Sequence, residues 1–155
     1  MWLLSSCAVL LAGALCLAQE LAANRQAQLE RGKKVFHQCG GCHLLDTSGE
    51  AATGPNLYGV VGRKVGKQAD FTYSAALLEK NVTWTEQELD NFLKSPADYA
   101  DGTTMAYSGL KDPADRKALI EYLKSMAPAR KSTNVKDRHR RYRGSGKALG
   151  CESRF

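Results

Sequence analysis

Two cysteines with two residues between them and a histidine directly behind, Cys39-Gly40-Gly41-Cys42-His43, limit this chain more than any other stretch of it. Thiols and an imidazole at that spacing can form a redox dithiol, hold part of a metal centre, or anchor a prosthetic group. A redox dithiol belongs on a strand–turn–helix corner of an α/β fold. No segment here alternates apolar and polar residues for long enough to build a sheet. A structural zinc site needs four ligands. His37 is the only further nitrogen ligand close by, and no second cysteine pair follows. The third chemistry is covalent attachment of haem. The thiols add to its vinyl groups as thioethers, and His43 provides an axial nitrogen to the iron. Gly40 and Gly41 would leave room for the edge of the macrocycle against the backbone. The motif also arises by chance, so the rest of the chain decides.

The remaining cysteines do not make a disulfide scaffold. No charged side chain occurs before Gln19, and an apolar run ends at Cys16-Leu17-Ala18, a small-x-small exit. Residues 1–18 read as a secretory signal peptide. An uncleaved anchor is the alternative, since the run reaches the roughly 18 residues a membrane span needs. Cleavage would remove Cys7 and Cys16 and leave Cys39, Cys42 and Cys151, an odd number for an exported chain.

The net charge of +6 is just as uneven. Residues 130–155 hold nine Lys or Arg against Asp137 and Glu152, so everything before them is close to neutral. The basic balance belongs to a tail, and no specific nucleic-acid site is expected. That tail has no apolar period and is expected to be disordered, with an anionic surface as its natural contact. Residues 19–129 are left as one domain.

Within the domain the signals are helical. Residues 24–39 read as a helix capped by Asn24, with Leu29, Gly32, Val35 and Phe36 near one face. Residues 44–70 are irregular, with seven glycines from Gly40 to Gly66, a loop too long to lack a purpose. Ser74 to Lys80 can form a short helix. Thr85-Glu86-Gln87-Glu88 is a capping box opening a helix through Lys94, with Leu89, Phe92 and Leu93 as its stripe. Residues 98–111 are irregular again. Asp112 caps the last helix, Pro113 occupies its first position, and Leu119, Tyr122, Leu123 and Met126 form its apolar face before Pro128. The expectation is an all-α fold of four to five short helices and long loops. Such elements bury little against each other, so something else must fill the core.

A haem iron in an electron carrier takes a second axial ligand. His139 lies in the tail, and His37 is too close to Cys39 to swing over the ring. Met105 sits in the turn Asp101-Gly102-Thr103-Thr104-Met105, where a core methionine would be unusual. A soft thioether favours Fe(II) and raises the reduction potential. Filling both axial positions leaves no open site for dioxygen or peroxide, which points to electron transfer and away from catalysis.

Together these features resemble class I cytochromes c of the bacterial periplasmic and mitochondrial kind, from about Gly32 to Met126. The motifs are Gly32-Lys33-Lys34-Val35-Phe36 before the cysteine pair, Gly54-Pro55-Asn56-Leu57-Tyr58-Gly59 and Gly62-Arg63 after it, then Phe71-Thr72-Tyr73-Ser74, Trp84, Gly102-Thr103 with Met105, and Leu119-Ile120 with Tyr122-Leu123. The resemblance implies that Cys39 and Cys42 carry one haem c and that His43 and Met105 are its axial ligands. It implies that Pro55 accepts the His43 ring N–H, and that Tyr73, Trp84, Arg63 and Thr103 surround a haem propionate. Gly32 would let the first helix cross the last, with Phe36 against Leu119 and Tyr122.

Departures narrow the expectation. Phe92 and Leu77 stand where polar residues are common in the family. Gln38, Ala97, Asp98 and Thr104 replace several lysines of the mitochondrial docking face, while Lys33, Lys34 and Lys64 remain. The implied protein is a monomeric single-electron carrier, periplasmic or otherwise exported. It would serve membrane-bound redox complexes of respiratory or photosynthetic type. An anchored redox subunit of a larger oxidase or dehydrogenase is the alternative. A haem peroxidase or sensor is a more distant one, because no distal acid/base pair is available.

Overall fold

The computed structural model describes residues 3–127. The basic tail with His139 and Cys151 lies outside these residues, as does Pro128. The described residues form five helices and no strand. They are α1 (Leu3–Phe36), α2 (Ala75–Leu78), α3 (Glu86–Lys94), α4 (Pro96–Tyr99) and α5 (Pro113–Ser125).

Helix α1 differs from the sequence expectation at both ends. It does not begin at Asn24, which lies inside it, but continues back to Leu3. No proline interrupts residues 3–36, and Ala, Leu, Gln and Glu dominate between Ala14 and Glu30, so helix propensity never falls far enough to stop it. Its regular hydrogen bonding ends at Phe36, short of Cys39. Residues 37–42 form consecutive turns, with the Cys39 carbonyl accepting from both Cys42 N (3.0 Å) and His43 N (2.9 Å). Lys33 and Lys34 fall in the last turn of α1, where cations complement the helix dipole.

Helices α1 and α5 cross at Gly32. A Cβ built there would lie 2.1 Å from the Ala118 carbonyl oxygen and 2.6 Å from Tyr122 Cβ. Only a hydrogen fits that gap. Around the crossing, Phe36 packs on Tyr122 at 5.9 Å between ring centroids. Arg31 pairs with Asp112 (2.7 Å) and Asp115 (2.6 Å) at the start of α5.

The other starts follow their caps. Thr85 Oγ1 accepts from Glu88 N (3.1 Å) and Asp112 Oδ1 from Ala114 N (2.8 Å). Glu88 does not close the reciprocal half of the capping box. Its Oε2 instead accepts from Tyr99 OH (2.5 Å), on the short α4 that interrupts what reads as irregular sequence. The stripe Leu89, Phe92 and Leu93 is buried, and α5 buries Ala118, Leu119, Ile120 and Leu123. Met126 is the C-cap of α5 and only half-buried.

The loop 44–70 is held by backbone bonds to other segments. Gly54 N donates to Cys42 O (2.8 Å), Leu57 N to Leu44 O (2.9 Å), and Gly62 N to Trp84 O (2.7 Å). An antiparallel bridge joins Lys64 to Thr83. Its apolar members Val60 and Val65 complete the core with Leu77, Trp84 and Leu110.

Candidate functional site

The turns after α1 bring Cys39, Cys42 and His43 to the wall of one cavity of about 260 Å³. Pro55, Arg63, Tyr73, Trp84, Thr103 and Met105 line the same cavity. Residues far apart in sequence thus meet around one space, and its floor is apolar: Leu57, Val60, Leu77, Leu89, Phe92, Leu93, Leu119 and Leu123.

His43 is held from two sides. The Pro55 carbonyl accepts its Nδ1–H at 2.8 Å, which assigns the other ring nitrogen, Nε2, as the one with a free lone pair. Behind the ring, Gly54 has no room for a side chain, since a Cβ would lie 2.4 Å from His43 Cε1. Burial pushes the His43 pKa down, and the bond to Pro55 opposes this only in part. The imidazole is therefore kept neutral, the form that ligates iron. Cys39 is shifted upward, first by burial and then by the neighbouring Cys42, so its thiol is held neutral. Neither Gly40 nor Gly41 is required by the protein's own packing: a Cβ at Gly40 meets nothing closer than 3.8 Å, and one at Gly41 meets nothing within 4 Å.

The polar part of the wall is built by the long loop. Arg63 Nη2 donates to Asn56 O (2.9 Å), and Nη1 to Tyr58 O (3.3 Å) and to Gln68 Oε1. Gln68 Nε2 donates in turn to Gly49 O (3.0 Å). Below this, Asn56 is almost wholly buried, donating to Asp46 and accepting from Tyr58 N. Arg63 is thus a half-buried charge fixed by the loop, not a solvated one. Tyr73 is shifted upward by burial, with Arg63 opposing. Trp84 is 8% exposed, and its ring lies 5.1 Å from Phe92 and 6.0 Å from Tyr99. Met105 is half-buried, and Thr103 Oγ1 accepts from its backbone N at 3.3 Å.

Several contributors are not evident from sequence reasoning. Ser74 is one. Its Oγ is buried without a hydrogen-bond partner, and it makes no cap bond although it stands at the N-cap of α2. A serine before a helix reads as a cap, so no sequence signal separates the two roles. Tyr107 is another: it lines the cavity and its OH donates to Gln38 Oε1 (3.2 Å), joining the Met105 loop to the cysteine turns. Gly54 was legible only as part of a glycine-proline motif.

These observations test whether a haem fits. An orphaned buried hydroxyl is destabilising by about 1–3 kcal/mol unless a bound group partners it, and Ser74 Oγ is such an atom on the cavity wall. A flat apolar macrocycle with carboxylate arms matches an apolar space with Ser74, Tyr73, Arg63 and Thr103 on its lining. Two thiols at the rim and a neutral, oriented imidazole match its attachment. The residues fit the group.

Comparison with known proteins gives the same direction. The family model described as Cytochrome c matches residues 29–127. Cytochrome c 2.1 of Caenorhabditis briggsae is 46% identical over 95 residues, covering 61% of this chain and 84% of that protein. A cytochrome c homolog of Bradyrhizobium diazoefficiens is 37% identical over 102 residues, covering 65% of this chain and 55% of that protein. The solved structure of cytochrome cH from Methylobacterium extorquens superposes with a TM-score of 0.58 at 34% identity, covering 62% of this chain and 96% of that one.

Proposed function

Because this chain belongs to the cytochrome c family, an electron carrier with one covalently attached haem c and not an enzyme, we propose that it shuttles single electrons with His43 and Met105 as axial ligands. One observation carries this reading: His43 and Met105, 62 positions apart, line the same cavity, with Nδ1 of His43 already committed to Pro55. When bound, the haem supplies a one-electron iron couple. Cys39 and Cys42 would hold it in place through sulfur. Pro55 fixes the His43 tautomer and ring orientation. Met105 would hold the iron through a soft thioether, which favours its reduced state. Arg63, Tyr73, Trp84, Ser74 and Thr103 would receive the carboxylate arms, whose burial without partners would be costly. The apolar floor would keep water from the haem, so that little around it would have to reorganise on electron transfer.

The donors and acceptors are membrane-bound redox complexes, met by a monomer in an exported compartment. Gln38 and Thr104 are exposed on the cavity wall, and among the described residues no Lys, Asp or Glu lines it. Docking therefore relies less on lysines than in mitochondrial members. A tethered form is the second reading. It is favoured by Leu15, Leu17 and Leu21, which α1 leaves 64–72% exposed, although no helix among the described residues is long and apolar enough to cross a membrane. N-terminal sequencing of the exported protein separates the two: a start near Gln19 supports the free carrier. For the ligation, the ferric protein should show the weak near-infrared sulfur-to-iron band, and Met105→Ala should abolish it. Survival of the band in that variant overturns the assignment.

A further inference from the structure

Arg116 is the one charged residue buried in the described core, at 7% exposure, and it does not line the cavity. From α5 its guanidinium reaches two other segments. Nε donates to Asp90 Oδ1 on α3 (2.7 Å), and Nη2 lies 3.5 Å from the other carboxylate oxygen. Nη1 donates to two backbone carbonyls, Leu110 O and Lys111 O, both at 2.9 Å. Those carbonyls end the segment 100–111 that carries Met105.

That segment is attached mainly at its ends. Ala100 N donates to Pro96 O (3.0 Å) at the start, and Leu110 N to Leu93 O (2.7 Å) at the finish. Between them lie two internal backbone bonds, Thr103 N to Ala100 O and Tyr107 N to Met105 O (both 2.9 Å), and the side-chain bonds of Thr103 and Tyr107. A loop with so few internal bonds keeps its shape through its anchors. The finish is anchored to α3, whose Leu89, Phe92 and Leu93 are themselves cavity wall. Arg116 is thus placed where the loop, α3 and α5 meet.

We propose that Arg116, braced by Asp90, is a positioning residue for Met105: it fixes the end of the 100–111 loop so that the thioether stays on the iron. The proposal rests on the reading of Met105 as axial ligand. A planar fork suits the task, because it serves two carbonyls and a carboxylate at once; an ammonium at the same place cannot. An apolar side chain would leave the buried Leu110 carbonyl without this donor, and would remove the bond to Lys111 O as well. Asp90 keeps the guanidinium charge from standing alone in the core. Loosening the clamp raises the population in which Met105 has left the iron and an external ligand can enter, without the whole domain unfolding.

The test uses the ferric holoprotein, with imidazole as the probe for displacement of Met105 and loss of the near-infrared band as the signal. Arg116→Lys should bind imidazole roughly tenfold more tightly than the parent, the equivalent of about one net hydrogen bond. Asp90→Asn should move the same way by a smaller factor. Val35→Ala, a core truncation in α1 that removes none of the clamp's hydrogen bonds, should lower the urea midpoint while shifting imidazole affinity by less than about twofold. Parent-like affinity in both Arg116→Lys and Asp90→Asn overturns the proposal. So does a shift in Val35→Ala as large as that in Arg116→Lys, since it would mean that general instability is what imidazole reads. A parent without the near-infrared band overturns the ligation and the clamp together. A parent with it and unaffected variants overturns the clamp alone.

Discussion

Replacing Gly32 by alanine places one methyl group where α1 and α5 touch. Its carbon would sit 2.1 Å from the Ala118 carbonyl oxygen and 2.6 Å from Tyr122 Cβ. Both obstacles belong to or adjoin the backbone of α5, so no rotamer change relieves them. The helices must part by about 1 Å to restore ordinary contact, and close-packed interfaces resist such a shift. Overpacking of this kind destabilises by about 1–3 kcal/mol, and a rigid obstacle puts it near the upper end. Alanine returns about 1 kcal/mol through helix propensity. The net expectation is a loss of about 2 kcal/mol, or roughly 8–16 °C in Tm for a domain of this size. Urea unfolding of the holoprotein, followed by far-ultraviolet circular dichroism and by haem absorbance, measures it. Lys33→Ala, exposed one position further on, should change stability by less than about 0.5 kcal/mol. If Gly32→Ala matches the parent or exceeds it, the close crossing is not what requires glycine there.

Gly54→Ala should dislodge the His43 ring, because the new carbon would fall 2.4 Å from Cε1; the expected result is poor haem incorporation and a disturbed Soret spectrum, and a parent-like spectrum contradicts it. Cys39→Ala combined with Cys42→Ala should abolish covalent attachment and leave little helical circular dichroism, since the cavity would have to collapse; a well-folded haem-free double variant argues against the cofactor as core. Asp46 accepts from Ser48 Oγ and N and from Asn56 Nδ2, and these bonds hold its pKa below the ordinary 3.8. With the folded value below the unfolded one, its contribution is complete above about pH 4 and is lost as pH falls through the folded pKa. Asp46→Asn should therefore flatten the acid fall in stability below that pH, and an unchanged acid limb counts against the arrangement.

The helix ends illustrate why some features are legible in sequence. Asp112-Pro113 and Thr85 with Glu88 act through bonds spanning two or three residues, so local sequence suffices to place them. Asn24 shows the opposite. A capping residue starts a helix only if the preceding residues leave it, and the helix-forming run before Asn24 does not. Glu88 shows a third case: its side chain reads as half of a capping box, but Tyr99, eleven positions away, takes it.

Chemistry written in a contiguous motif is determined by the sequence itself. Cys39, Cys42 and His43 lie within one turn, and thiols beside an imidazole at that spacing allow few uses. Met105 draws attention in the sequence because a methionine in a turn, and not on a helix face, is unusual for a core residue. What only the tertiary structure decides is which distant groups share a space. Ser74 as an orphaned hydroxyl on the cavity wall, Gln68 as the brace of Arg63, and Arg116 as the clamp on the Met105 loop all depend on contacts across many residues. Serine, glutamine and arginine are ordinary surface residues when read in line. Burial and the identity of a partner give each its role, and neither is a property of any short stretch of chain.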